Sequence, residues 1–199
     1  MSDCCTGNDS CELVGRNKTP DLLVIGAGSA GFSASITAAE TGAEVLFAGE
    51  GTIGGTCVNF GCVPSKTMIR ATETIHQAKS ASRFNGIRGT AEIFDWKALI
   101  DHKQELVESL RKAKYIDVLP FYSKIDYVEG KVTFTGNGTE VEIKGQKYHP
   151  KKIVIATGSS AVLPPINGIQ SVSVLNSTTA PGLEKMPKSI LVIGGGYIG

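Results

Sequence analysis

What this sequence lacks narrows its function. No apolar run approaches the roughly 18–20 residues that a membrane-spanning helix needs. Residues 1–20 are polar and hold no hydrophobic stretch of the kind that opens a secretory leader, so the expected location is the cytoplasm. Charge of one sign is not in excess: 20 Lys and Arg stand against 19 Asp and Glu, a formal net charge of +1. No basic field therefore points to nucleic acid or to an anionic membrane surface. Histidine is sparse, and His76 and His102 are isolated, without a neighbour at metal-ligand spacing.

The 199 residues suffice for one large domain or one and a half small ones. Hydrophobic residues make up 41% and charged residues 20%, as in an ordinary globular protein. Glycine is frequent, with 24 residues, many of them clustered beside apolar runs. That pattern suits an α/β protein with nucleotide loops. The five cysteines are Cys4, Cys5, Cys11, Cys57 and Cys62. In a reducing compartment a closely spaced pair is catalytic or metal-binding before it is a structural staple. Residues 1–20 read as a flexible tail closed by Pro20, and its three thiols have no partner at structural-zinc spacing.

Asp21-Leu22-Leu23-Val24-Ile25 reads as a buried parallel strand. It runs into Gly26-Ala27-Gly28-Ser29-Ala30-Gly31, a G-x-G-x-x-G pattern. An Ala-rich helix over residues 32–41 and a second strand over 43–48 complete a βαβ opening. The first glycine allows the tight turn, the second lets backbone approach a pyrophosphate, and the third lets helix and strand pack closely. Helix N-terminal N–H groups then face the phosphates. In such a unit an acid about 20 residues on ends the second strand and holds the ribose hydroxyls. That position falls on Gly49, and the nearest acid is Glu50. A one-residue slip turns a side chain to the other face. Either the strand bulges and Glu50 takes the ribose, or the ribose is held in another way.

The stretch Gly54-Gly55-Thr56-Cys57-Val58-Asn59-Phe60-Gly61-Cys62-Val63-Pro64-Ser65-Lys66 follows. On a regular helix, residues five apart have Cα atoms about 8–9 Å apart, whereas a disulfide needs less than about 7 Å. Cys57 and Cys62 therefore cannot share an undistorted helix and be bridged. The irregularity is expected at Asn59-Phe60-Gly61, with a regular helix over residues 64–80 that carries Met68, Ala71, Ile75 and Ala78 on one face. A bridge across so short a loop adds only about 2 kcal/mol in the chain-entropy model, which suits a bond that opens and closes better than a staple.

Asp95 is a fair N-cap for a long amphipathic helix over residues 96–118. Leu99, Leu106, Val107 and Leu110 form its apolar stripe. Lys103, Glu105, Glu108, Arg111, Lys112 and Lys114 form its solvated face. The period then changes. Residues 125–128, 131–135, 139–144 and 153–156 read as short strands of an antiparallel meander, with turns at Gly130, Asn137-Gly138 and Gly145. The last strand leads into Ala156-Thr157-Gly158, where backbone packed against a cofactor is expected. Leu163-Pro164-Pro165-Ile166-Asn167-Gly168 reads as a stiff crossover. Residues 189–193 repeat the opening strand and lead into Gly194-Gly195-Gly196-Tyr197-Ile198-Gly199, a second G-x-G-x-x-G. The organisation expected is a tail over 1–20, the first segment of an FAD-binding domain over 21–165, and over 166–199 a crossover with the truncated start of an NAD(P)H domain. On that reading the chain is a fragment.

Two dinucleotide fingerprints, a meander, Ala-Thr-Gly and the Cys57–Cys62 motif together resemble the pyridine nucleotide–disulfide oxidoreductases over residues 21–199. Within that family the resemblance is greatest to the mercuric reductases, on Gly51-Thr52-Ile53, Thr67-Met68-Ile69-Arg70-Ala71 and Leu110-Arg111-Lys112-Ala113-Lys114-Tyr115. It implies a Rossmann-like FAD domain with an antiparallel meander, followed by the first strand of a second Rossmann-like domain. It implies FAD on Gly26, Gly28, Ser29, Ala30 and Gly31, with Glu50 the candidate acid for the ribose. Gly51, Gly55 and Thr56 would line the pyrophosphate side, Val132 would face the adenine, and Ala156, Thr157 and Gly158 would close the site. NADPH would lie on Gly194, Gly196 and Gly199. Cys62 would be the charge-transfer thiolate beside the flavin, Cys57 the thiol that meets substrate, and Lys66 a neighbour of the flavin's reactive nitrogen. Two electrons would pass from NADPH through FAD to the Cys57–Cys62 disulfide and on to Hg(II), held transiently by the two sulfurs. A small disulfide substrate, as in dihydrolipoamide dehydrogenase or glutathione reductase, is the alternative, and a non-catalytic flavin-binding piece is another. The full-length family member is a homodimer.

Overall fold

The computed structural model describes residues 17–136 and 138–196. Cys4, Cys5, Cys11, Asn137 and Gly199 lie outside the described residues. In chain order the elements are β1 (Leu22–Ile25), α1 (Ser29–Glu40), β2 (Val45–Gly49), α2 (Gly55–Asn59), α3 (Cys62–Ser80), α4 (Trp96–Arg111), β3 (Ile125–Glu129), β4 (Val132–Phe134), β5 (Val141–Ile143), β6 (Gln146–Tyr148) and β7 (Lys152–Ile155). The chain divides into two compact units. Within the described residues, the first runs up to Gly26 and adds Ala30–Gly51 and Phe121–Ala156. The second holds Ala27–Ser29, Thr52–Pro120 and the chain from Thr157 onward.

The first unit is built on a four-stranded parallel sheet in the order β3-β2-β1-β7. Apolar runs without alternation make strands that are covered on both faces, and Leu23, Val24, Leu46, Phe47 and Ala48 are all at or near zero exposure. On one face Leu23, Leu46, Ala48 and Val128 join Val141, Ile143 and Tyr148 of the meander β4-β5-β6 in a single apolar cluster. On the other face the Phe47 ring meets Phe32 of α1 edge-on at 5.0 Å and Tyr127 of β3 at 5.3 Å. Burying a side chain of that size is worth about 2–3 kcal/mol.

The sheet corrects the expected meander in three places. Residues 125–128 and 153–156 belong to the parallel sheet as β3 and β7, not to the meander. Both are outer strands with half-buried residues, and their alternation does not reveal whether a partner runs parallel. The third meander strand, β6, has only Tyr148 buried and so carries no apolar signature. Its tight turn from β5 lies on Lys144-Gly145, both with positive φ (49° and 76°), the conformation of a two-residue hairpin.

In the second unit α2, α3 and α4 pack together. Asp95 caps α4, its Oδ1 accepting from the Ala98 N–H at 3.0 Å. The α-helix ends at Arg111 and then widens: residues Lys112–Ile116 form a π-helical turn, where a continuous α-helix to 118 is expected from the sequence. Lys103, expected on the solvated face, is 4% exposed, and its Nζ donates to the Pro181 carbonyl at 2.8 Å. Trp96 Nε1 donates to the Leu183 carbonyl at 2.9 Å. The segment around residues 181–183 thus covers a face of α4 that periodicity alone assigns to solvent, and Leu106, expected in the apolar stripe, is exposed instead. Residues 189–193 are not paired into a sheet. Ile190, Leu191, Val192 and Ile193 are each more than half exposed, because a strand is buried only by neighbours and none is present among the described residues.

Candidate functional site

The Cys57–Cys62 stretch folds as two helices with a break. α2 ends at Asn59, Phe60 leaves the helical region (φ −133°), Gly61 takes φ −107° and ψ −106°, and α3 begins at Cys62. Both Phe60 N–H and Gly61 N–H donate to the Thr56 carbonyl, at 2.9 and 2.7 Å, so one acceptor closes the end of α2. The break supplies the irregularity that a five-residue Cys spacing requires.

The break is held from inside by Asn59, which is 8% exposed. Its Nδ2 donates to the carbonyls of Ile53 and Gly55, each at 2.9 Å, and its Oδ1 accepts from Arg111 Nη1 at 3.1 Å. Arg111, expected on the solvated face of α4, is half-buried against this amide. Neither residue is a site candidate by sequence alone. The available signal is a polar side chain set between Val58 and Phe60 in an otherwise apolar turn.

Cys57 and Cys62 are free thiols, both exposed. The Cys62 side chain beside Cys57 pushes the Cys57 thiol above its ordinary value, and partial burial adds to the shift. The Cys62 backbone N–H and the charge of Lys66 pull it the other way without prevailing. A neighbouring sulfur thus keeps the proton on Cys57. Lys66 is exposed on the second turn of α3. From it an open groove runs along the helix, lined by Ile69, Arg70, Thr72, Glu73 and His76. Among the described residues no three His, Cys, Asp or Glu side chains gather as a metal site, so these two sulfurs are the candidate soft-metal ligands.

Of the first glycine pattern, Gly26, Ala30 and Gly31 belong to the first unit and Ala27–Ser29 to the second. In the second, Gly28 lies against Gly55, with 3.5 Å between Gly55 Cα and a Cβ placed on Gly28. Ser29 Oγ and Tyr115 Oη are 3.2 Å apart, and the Tyr115 ring packs over Gly54. Thr56 is exposed on the first turn of α2. In the first unit, a Cβ on Gly31 would stand 1.8 Å from the Gly26 carbonyl oxygen, so only glycine lets α1 come this near the end of β1. Ala30 is exposed beside it on the first turn of α1. These features fit a dinucleotide: bare backbone where phosphates would approach, and an exposed helix start.

β2 pairs with β1 and β3 in unbroken register, Gly49 lying opposite Glu129. The strand does not bulge. Glu50 follows it as an exposed residue, with Gly51 next, and the carboxylate in register with Gly49 belongs to β3. Val132 opens β4 with its side chain packed on the apolar cluster. Ala156 N–H donates to the Ile25 carbonyl at 2.7 Å, just past β7. Thr157 and Gly158 are exposed. Gly194 and Gly196 are exposed too, and a Cβ on either would meet nothing within 4 Å, so they are not brought to any other candidate residue.

Residues 20–199 match the family described as pyridine nucleotide-disulphide oxidoreductase. Mercuric reductase from Lysinibacillus sphaericus is 47% identical over 179 residues, covering 90% of this chain and 32% of that protein. Dihydrolipoyl dehydrogenase from Manduca sexta is 39% identical over 184 residues, covering 90% of this chain and 36% of that protein. Among solved structures, the HOCl-induced flavoprotein disulfide reductase RclA from Escherichia coli superposes with a TM-score of 0.68 at 30% identity, over 84% of this chain and 35% of that one. The chain thus spans about a third of the length of the curated relatives it matches.

Proposed function

The chain belongs to the pyridine nucleotide-disulphide oxidoreductases, and from that premise we propose that it serves an FAD-dependent, NADPH-linked reduction of Hg(II) to Hg(0). The observation that carries this reading is the exposed Cys57–Cys62 pair on its broken helix, in a chain 47% and 43% identical to two mercuric reductases. Gly26, Gly28, Ser29, Ala30, Gly31, Gly51, Gly55 and Thr56 would hold the FAD pyrophosphate, Glu50 its ribose from the turn just past the unbulged end of β2, Val132 the adenine through its backbone, and Ala156, Thr157 and Gly158 the remaining wall. Gly194, Gly196 and Gly199 hold NADPH. Lys66 lies near the flavin ring, and its charge favours the thiolate form of its neighbours.

When bound, FAD supplies two-electron exchange between the nicotinamide and the sulfurs. Cys57 keeps its proton until a soft cation displaces it, and it is the thiol that first takes the metal. Cys62 is the partner sulfur. Reducing the Cys57–Cys62 disulfide takes up two electrons and two protons. The resulting dithiol would bind Hg(II) with release of its two protons, and its two electrons, drawn from NADPH through FAD, would pass to the metal, giving Hg(0) as the Cys57–Cys62 disulfide re-forms. A cytoplasmic location and a homodimer of the full-length protein complete the proposal.

The 39% identity to a dihydrolipoyl dehydrogenase favours a second reading, reduction of a small disulfide. Steady-state NADPH oxidation by a protein of the relatives' full length separates the two. Stimulation by Hg(II) in excess thiol, with weak turnover of lipoamide and glutathione disulfide, is the expected result. Robust turnover of either disulfide without Hg(II) stimulation would sink the mercury reading.

A further inference from the structure

Asn59 lies between the two cysteines in sequence, yet the chemistry above does not use its contact with Arg111. Asn59 is the last residue of α2, the short helix that carries Cys57. Its amide is almost fully buried, and each of its polar atoms has a partner on a different piece of chain. Nδ2 ties the end of α2 back to its own first residue, Gly55, and to Ile53 in the turn before it. Oδ1 ties it to α4 through Arg111. Cys62, by contrast, starts α3, on the far side of the Phe60-Gly61 break. The separation of the two sulfurs depends on the angle between α2 and α3, and the break leaves that angle free of helical hydrogen bonding. The Arg111–Asn59 bond ties α2 to α4, and α3 packs against α4 as well.

We propose that Asn59 and Arg111 are positioning residues that set the reduction potential of the Cys57–Cys62 pair. A disulfide is stable against external thiols in proportion to how often its two sulfurs meet when reduced. The Asn59 amide and Arg111 Nη1 hold α2 against α4 at an angle that keeps Cys57 beside Cys62, and so favour the disulfide. This inference rests on the redox role proposed for the pair, but not on mercury or on bound flavin.

The test is a thiol–disulfide equilibrium on the 199-residue chain, in which glutathione disulfide plus the Cys57/Cys62 dithiol gives the intramolecular disulfide plus two glutathione thiols. After acid quench and alkylation, the tryptic peptide of residues 19–66 holds Cys57 and Cys62 and none of the other three cysteines, so its mass reads the pair alone. Asn59→Leu and Arg111→Met are each expected to lower the equilibrium constant for disulfide formation about tenfold, about 30 mV toward a more oxidising couple. Arg111→Lys, which keeps a donor, should recover most of the loss. The double variant should be no worse than the poorer single one, because both act through one contact. Lys112→Ala, the adjacent residue but paired with Asp117, should leave the constant unchanged. If Asn59→Leu does not fold, the Arg111 series decides alone. Folded variants whose constants stay within twofold of the parent overturn the inference while leaving the redox reading intact. A parent chain that forms no reversible Cys57–Cys62 disulfide overturns both.

Discussion

Gly28 and Gly55 touch backbone to backbone: a Cβ added to Gly55 would stand 2.6 Å from Gly28 Cα. The relation is not symmetric. Gly55 also has φ +65°, whereas a Cβ on Gly28 would keep an ordinary 3.5 Å contact. Gly55→Ala is therefore expected to cost about 2–4 kcal/mol, from left-handed strain and a collision with backbone. Gly28→Ala should cost less than about 1 kcal/mol, and its effect should fall on flavin affinity. Urea unfolding followed by circular dichroism separates the two; equal losses would show that the close approach does not matter.

The proton on Cys57 gives a pH prediction. Its thiol is raised by the neighbouring Cys62 sulfur, so the folded chain holds that proton more tightly than the unfolded one. The small stabilisation is complete below the ordinary thiol value and is lost as pH rises through the folded one. Alkylation of Cys57 by iodoacetamide in the reduced chain should show its inflection above the ordinary thiol value. Cys62→Ser should bring the inflection down. Lys66→Met, which removes the charge pulling the other way, should move it further up. An inflection unmoved by Cys62→Ser would contradict the pairing of the sulfurs.

Lys103 supplies a second titration of opposite sense. Burial holds its ammonium below the ordinary lysine range. Between the lowered folded value and the ordinary one the unfolded chain binds more protons, so stability rises as pH passes through the folded value and levels off once the unfolded lysine titrates near about 10.4. Lys103→Met should remove that rise and stay within about 1 kcal/mol of the parent at pH 7, because one hydrogen bond to Pro181 is exchanged for relief of a buried charge. Thermal unfolding of both proteins between pH 7 and 10.5 reads the difference, and parallel curves would refute it.

Two carboxylates lie where β2 ends. Glu50→Gln is expected to weaken FAD binding about tenfold by calorimetry, the loss of one charge-assisted hydrogen bond to ribose. Glu129→Gln is the paired comparison, because Glu129 stands in register with Gly49, the position at which the fingerprint places its acid. A loss at Glu129 with none at Glu50 would move the ribose contact to β3.

The βαβ opening, the capped start of α4 and the broken helix at the cysteines are legible in the sequence because each rests on local chemistry. Gly31 has to be small, Asp95 caps its own helix, and a five-residue Cys spacing excludes a regular one. The partner of β3 is not legible, because it is fixed by Val45 to Gly49 almost eighty residues earlier in the chain. Nor are the burial of Lys103 and the role of Arg111. Each charge meets a carbonyl or amide far away in sequence, Pro181 and Asn59, and helical periodicity marks both as solvated.

Trp96 is the only tryptophan in the chain, and its indole N–H is bonded to the Leu183 carbonyl. The intrinsic fluorescence of the protein is therefore a one-residue signal from the point where the approach to the second glycine loop is fastened to α4. A red shift in emission, without loss of helical circular dichroism, will report that fastening coming undone before the rest of the fold does.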